Sequence, residues 1–510
     1  MSSSSQQWLS LVGALWLQTV NGPNSDFPVY SSQLKHLLSI SQVQLNNLAF
    51  ASDAGKLFGW FSGLAAVYLP LWLVLLIGSS LGLIGYGFQF LFLVNKVSTL
   101  SYWHVFLLTV LAGNGICWIN TVCYLICIQN FSSDQRATVL GISTSYVGLS
   151  AKVYTVIADA FFHYLPAEKK ARSYLLLNAI VPMLASLVTA PFLRRVHPGN
   201  QEQLDVSALL FLSLITISTG VCAVVSSVGS VSTGRRFSVQ HTVSLGLLLA
   251  SPLIIPMAMK FKEALEENRV HDLVTVREVD VKELRDQSKE DNIGASSMLK
   301  KLDFWLYYFS YMFSATLGLV FLNNLGQIAE SRGLRRTSSL VSLSSSFGFF
   351  GRLVPSLFDF YLSKKGCVVS RPASITTLMA PMAGAFFLLL HPNDLSLYIS
   401  TAVIGACTGA ITCIAVSTTS ELFGIKHFGV NHNVVVTNIP IGSFIFGFFA
   451  ALVYQREEGR ESCMGSGCFR KTFIIWGSIC SIGTLLCLIL YVRTRKFCLD
   501  TSLQRSPIPK

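Results

Sequence analysis

Few residue types in this chain can do chemistry, and several of them stand where charge is costly. Asp53 and Lys56 lie three residues apart, Lys152 and Asp159 seven apart, and Arg352 and Asp359 also seven apart, all inside apolar runs. Those spacings put both members of each pair on one helix face, so each pair can neutralise itself. A charge left over must face a protein cavity rather than lipid. A buried carboxylate can load and release a proton, which makes Asp26, Asp53 and Asp159 candidates for proton coupling. A buried Lys or Arg can hold an anionic group, which makes Lys56 and Arg352 a candidate cationic pair for a carboxylate solute. Structural ion pairing explains the same residues about equally well.

The elements that must position these groups are interrupted ones. The first apolar run is broken by Asn21, Gly22, Pro23, Asn24, Ser25, Asp26 and Pro28. Two prolines and a glycine at bilayer depth free backbone groups that lipid cannot satisfy, so such a break belongs on a water-filled or protein-lined cavity. In transporters, discontinuous helices of this kind mark the solute site. Asn24 and Asp26 are therefore cavity candidates, together with Asn323 and Asn324 of the stretch LNNLG. The plainer alternative is a simple kink near the outer end of the helix.

The 510 residues are 52% hydrophobic with a mean hydropathy of +0.54, and only 13% are charged, against about 25% in an ordinary soluble domain. Continuous apolar runs such as 69–94, 207–228 and 473–492 reach or exceed the ~20 residues that a spanning helix needs, and they lack the alternation of barrel strands. No cleavable signal pattern is expected at the start, because residues 1–7 carry no Lys or Arg. The net charge of +12 is dispersed over short loops, so it reads as a topology signal and not as a nucleic-acid surface. No Cys-x-x-Cys, His-Glu-x-x-His or phosphate-loop pattern is present. No metal, cofactor or enzymatic nucleophile is expected, and the partners are the lipid bilayer and a small-molecule solute, with or without protons, around a monomer.

About fourteen spans are expected, beginning near residues 7, 44, 69, 102, 137 and 173, then 207 and 241, then 303, 336, 371, 393, 426 and 471. This gives an all-α polytopic membrane protein with a first six-helix half (1–200), two additional helices (201–260), a charged linker (261–302), a second six-helix half (303–495) and a tail (496–510). The linker is dense in both signs and reads as a solvated tether. The excess of Lys and Arg, most of it in that linker, places both termini and the linker in the cytosol. The sequon Asn130-Phe131-Ser132 then falls on the cytosolic side and is expected to stay unused.

The halves repeat. With Ser31 set against Ser331, Asn24 falls on Asn324, and Gly55-Lys56-Leu57 matches Gly351-Arg352-Leu353 in the next helix. Two matches in the same order and direction point to parallel six-helix repeats.

That architecture is the major facilitator fold. The chain resembles the plant nodulin-like family of that superfamily in GPNSDFPVYSSQLK (22–35), GNGICWINT (113–121), SYVGLS (145–150), FLNNLGQIAES (321–331) and, most specifically, SELFGIKHFGVNHN (420–433). The resemblance extends over both halves and implies a membrane transporter, in the plasma membrane or in the vacuolar or another endomembrane. It departs from the superfamily in the loop between the second and third spans, where 59–70 carries no charge; the second half keeps Asp359, Lys364 and Lys365 there.

The resulting expectation is a secondary-active transporter of a small solute, an organic anion by the Lys56/Arg352 argument, working by alternating access. A receptor or scaffold with the same fold but no flux is the alternative. Asp359, Glu421, Lys426 and His427 are gate candidates, although a helix-connecting turn with Gly424 and Gly429 accounts for the last three almost as well. Cys463 and Cys468 flank a flexible Met-Gly-Ser-Gly loop on the non-cytosolic side. They are expected to bond if that compartment is oxidising, and to be free thiols otherwise.

Overall fold

The structure, a computed structural model, describes residues 3–97, 100–162, 165–196, 206–229, 235–270, 293–334, 337–365, 370–458, 463–465 and 467–505. Every element among them is helical, as chains without water to satisfy their backbone require. The first half comprises α1 (Ser3–Val20), α2 (Phe27–Leu38), α3 (Gln42–Ala54), α4 (Trp60–Tyr68), α5 (Leu71–Leu93), α6 (Tyr102–Gln129), α7 (Ser133–Phe162) and α8 (Ala167–Thr189). The additional helices are α9 (Val206–Gly229), α10 (Arg235–Ala250) and α11 (Ile254–Val270), and a one-turn α12 (Ala295–Met298) precedes the second half. That half comprises α13 (Leu302–Tyr311), α14 (Leu317–Ser331), α15 (Thr337–Lys364), α16 (Arg371–Leu388), α17 (Asp394–Phe423), α18 (Phe428–Val436), α19 (Asn438–Glu458) and α20 (Arg470–Arg505). The middle of the charged linker, 271–292, lies outside the described residues.

Among the described residues, 9 helical stretches are long and apolar enough to cross a bilayer. The remaining expected spans fall on α1–α2, α3–α4, α7, α15 and α16. These are broken, polar or short, and they lack the unbroken apolar length of the others. The interruptions are informative, and one of them falls inside a long apolar stretch. α3 and α4 are joined by a 3-10 turn, Gly55–Phe58, and α13 passes into α14 through a π-helical turn, Met312–Thr316, a distortion frequent at functional sites.

Each half has its own apolar core. Phe304, Phe321, Met379, Met382, Phe386 and Trp476 anchor the second, and Trp8, Val74, Val122, Ile126 and Tyr146 anchor the first. The first-half core also takes in Leu209 and Leu212 of α9 and Phe349 and Leu353 of α15, so α9 and α15 share it.

The Gly-Lys-Leu and Gly-Arg-Leu repeat has a packing basis. A Cβ on Gly55 would lie 2.3 Å from the Asn114 amide nitrogen of α6, and one on Gly351 would lie 2.0 Å from the Ala406 carbonyl oxygen of α17. In both halves the glycine therefore lets the second span press directly on the fourth. At the tip of the last hairpin, Cys463 and Cys468 are disulfide-bonded with their α-carbons 5.9 Å apart.

Candidate functional site

The break in the first span is held by the two helices beside it. The Asn21 Nδ2 donates to Asn120 Oδ1 (3.0 Å) and to the Ile116 carbonyl (3.2 Å) of α6, and the Gly22 N–H donates to Ser150 Oγ of α7 at 3.0 Å. Pro23–Ser25 then forms a 3-10 turn before α2 begins. The backbone groups released by the helix break are thus partnered by protein, and Asn24 and Ser25 are turned onto a central cavity.

This cavity, about 90 Å³, lies between the halves and is lined by Asn24, Asp53, Gly148, Asn323, Ser344, Ser345, Arg352 and Thr408, among others. Two smaller cavities, about 20 and 30 Å³, adjoin it along the seam, and Asn323 lines all three. Four of the residues singled out in the sequence, Asn24, Asp53, Asn323 and Arg352, are therefore brought together from both halves.

The two charges on the cavity wall differ in how they are held. Asp53 Oδ1 pairs with Lys56 Nζ at 2.6 Å, and Asp53 Oδ2 accepts from Ser443 Oγ of α19 at 2.8 Å, so this carboxylate ties the two halves. Arg352 Nη1 donates to the Gly348 carbonyl of its own helix at 3.1 Å, and its guanidinium has no carboxylate within ion-pair distance among the described residues. The expected cationic pair is thus built asymmetrically. Lys56 is buried on Asp53 and is absent from the lining of the cavity, while Arg352 faces it.

Other candidates lie elsewhere. Asn324 Nδ2 donates to the Val320 carbonyl at 2.8 Å, and Asn324 lines the neighbouring 30 Å³ cavity. The register that sets Asn24 on Asn324 is therefore one residue off in space, since Asn323 shares the cavity with Asn24. Asp26 is fully buried behind the break, where Oδ1 accepts from Asn178 Nδ2 of α8 at 3.4 Å and Oδ2 has no hydrogen-bond partner among the described residues. Lys152 is buried and Asp159 half-buried on α7, and neither lines the cavity. Asn130 holds the chain after α8, with Nδ2 on the Arg194 carbonyl (3.0 Å) and Oδ1 on the Val196 N–H (3.0 Å).

Both ends of the cavity are closed by contacts between the halves. The end that carries Ser3 also holds α4, since Gln6 reaches the Phe192 carbonyl (3.0 Å) and Arg195 reaches the Ala66 carbonyl. There Gly63 of α4 meets Gly429 of α18 backbone to backbone, with a Cβ on Gly63 placed 2.4 Å from the Gly429 carbonyl carbon. Asn433 Nδ2 of α18 donates to Thr121 Oγ1 of α6 (2.9 Å), which also bonds Ser62 Oγ (2.7 Å). At the far end Gln327 Nε2 of α14 donates to Asn46 Oδ1 of α3 (2.6 Å), and the rings of Phe50 and Phe444 lie 5.3 Å apart.

Of the gate candidates, Asp359 and Glu421 both bind Arg371, the latter at 2.9 Å between Nε and Oε1. This cluster ties α15, α16 and α17 within one half and does not bridge the two. Lys426 is exposed, and His427 occupies the N-cap position of α18 without a side-chain capping bond. Apart from Asp53, the bridging residues named above, Thr121, Asn433, Ser443 and Gln327, are neutral, and no charge pattern flags them. Asn433 and Gly429 nevertheless lie inside the SELFGIKHFGVNHN stretch.

Known proteins match this arrangement. The Nodulin-like family profile matches residues 7–257, and the profile for the NFD4 C-terminal domain matches residues 288–499. The protein NUCLEAR FUSION DEFECTIVE 4 of Arabidopsis thaliana is 36% identical over 529 residues, covering 96% of this chain and 89% of that protein. The major facilitator superfamily proton:xylose symporter XylE, solved with 6-bromo-6-deoxy-D-glucose, superposes with a TM-score of 0.59 at 9% identity, covering 95% of both chains. The likeness to XylE shows the fold alone. Two matched profiles in sequence order and a full-length relative place the chain in the nodulin-like family, a multi-pass membrane protein with the major facilitator fold.

Proposed function

We propose that this protein is a secondary-active transporter, and not an enzyme, that moves a small organic anion by alternating access. The observation that carries the reading is Arg352. It is a half-buried guanidinium on the wall of a polar cavity between two halves, and one contact to a backbone carbonyl leaves most of its five donors available to a carboxylate. Asn24 and Asn323 supply neutral donors and acceptors from the interrupted first span of each half, where transporters place solute contacts. Asp26 is the best-placed group for a proton, because its carboxylate is buried without a cationic partner among the described residues, whereas Asp53 is committed to Lys56.

Uptake of organic anions into liposomes holding the purified protein, with and without a pH gradient, tests the reading. Arg352→Gln is expected to abolish anion uptake while leaving expression intact, and Asp26→Asn is expected to uncouple uptake from the gradient. Absence of flux for every organic anion, amino acid, sugar and metal chelate offered would move the assignment to a non-transporting receptor or scaffold.

A further inference from the structure

We propose that Asn431, His432 and Asn433 couple the end of the central linker, residues 293–299, to the closure between the halves, so that the position of that segment regulates opening at the end carrying Ser3. The inference rests on the transporter reading only for what such an opening accomplishes.

Consecutive residues of an α-helix point about 100° apart, so three in a row address three directions, and here each direction holds a different element. Asn431 Nδ2 donates to the Ile293 carbonyl at 2.8 Å, and the Ile293 N–H donates to the Phe423 carbonyl at 3.1 Å. The main chain of one residue is thus gripped from both sides by the end of α17 and the body of α18. Five residues later Met298 is fully buried in the second-half core, which fixes the segment in place. His432 Nδ1 bonds Thr419 Oγ1 of α17 at 3.1 Å, its ring stacks on Phe428 at 5.2 Å, and it meets Tyr124 of the first half edge-on at 5.6 Å. Asn433 reaches across to Thr121, the residue that also holds Ser62 of α4.

α18 is built to shift as a unit. It is only 9 residues long, and it begins just after a turn at Gly424, whose φ of 79° a side chain would strain. A tilt of α18 therefore loads the Ile293 clasp and the Thr121 contact together. Asn431 Oδ1 is buried with no donor among the described residues, so the grip on Ile293 is what this amide contributes in return for its desolvation.

Hydrogen exchange of the full chain in lipid nanodiscs tests the coupling without needing a solute, so its outcome is independent of whether flux is found. Ile293→Pro removes the donor to Phe423, and Asn431→Leu removes the other grip. Each is expected to raise exchange at 294–299 about tenfold, the effect of one lost buried hydrogen bond, and to raise exchange in α4 of the opposite half severalfold. Coupling is reciprocal, so Asn433→Val, which removes a contact to the first half, must also loosen 294–299. The proposal is overturned if 294–299 loosens while α4 stays protected, if neither clasp variant loosens 294–299, or if Asn433→Val leaves 294–299 unchanged.

Discussion

Gly55 and Lys56 stand in the first half where Gly351 and Arg352 stand in the second, and the two glycines do the same work. Each removes a side chain so that the second span can touch the fourth. The cations that follow have opposite fates. Lys56 is buried on Asp53 at 2.6 Å, and through Asp53 and Ser443 it belongs to the contact between halves. Arg352 stays on the cavity wall, hydrogen-bonded to a carbonyl of its own helix and with no ion-pair partner among the described residues. A repeated motif can thus preserve packing while its charge is moved from the contact between the halves to the wall of the cavity.

Five single substitutions and one double would break or sharpen this contrast. The largest effect is expected from Lys56→Gln, which leaves the Asp53 carboxylate buried without its cation and should cost about 3–5 kcal/mol. It would be read as a fall in the thermal midpoint in detergent, and Lys56→Gln with Asp53→Asn should recover much of it. Gly55→Ala and Gly351→Ala come next, each driving a methyl into backbone and costing about 1–3 kcal/mol. Similar losses in the two halves would uphold the packing equivalence, and tolerance of one alone would end it. Ser443→Ala removes a single hydrogen bond between halves and should cost about 1 kcal/mol, leaving the Lys56 pair in place. Arg352→Gln is expected to change the midpoint least, since it removes a charge with no ionic partner among the described residues, while abolishing anion uptake. A midpoint loss as large as that of Lys56→Gln would show Arg352 to be structural.

The fold was legible because lipid imposes simple rules. Apolar runs such as 69–94 and 473–492 can only be helices in a bilayer, and the cluster from Asn21 to Pro28 had to be a break. Asn24, Asp53, Asn323 and Arg352 could be found because polar groups at that depth are conspicuous. The contacts that close the two ends were hidden for the converse reason. Gly63 on Gly429 and Asn433 on Thr121 are small or neutral, and such residues mark packing interfaces throughout membrane helices. Charge also misdirects locally: Asp359 and Glu421, gate candidates in the sequence, are drawn to Arg371 inside their own half.

The shared position of α9 bears on how the halves can move. It lies against α7 of the first half and α15 of the second at once, and a Cβ on its Gly220 would sit 2.4 Å from the Phe349 ring. That flank of the seam is walled by protein, whereas on the other flank α3 meets α19, where Phe50 lies against Phe444 and Phe449 is exposed. If the halves rock as proposed, the motion is expected to be lopsided, with the α7–α15 flank as a hinge spine bound by a strap and the α3–α19 flank as the lips that part.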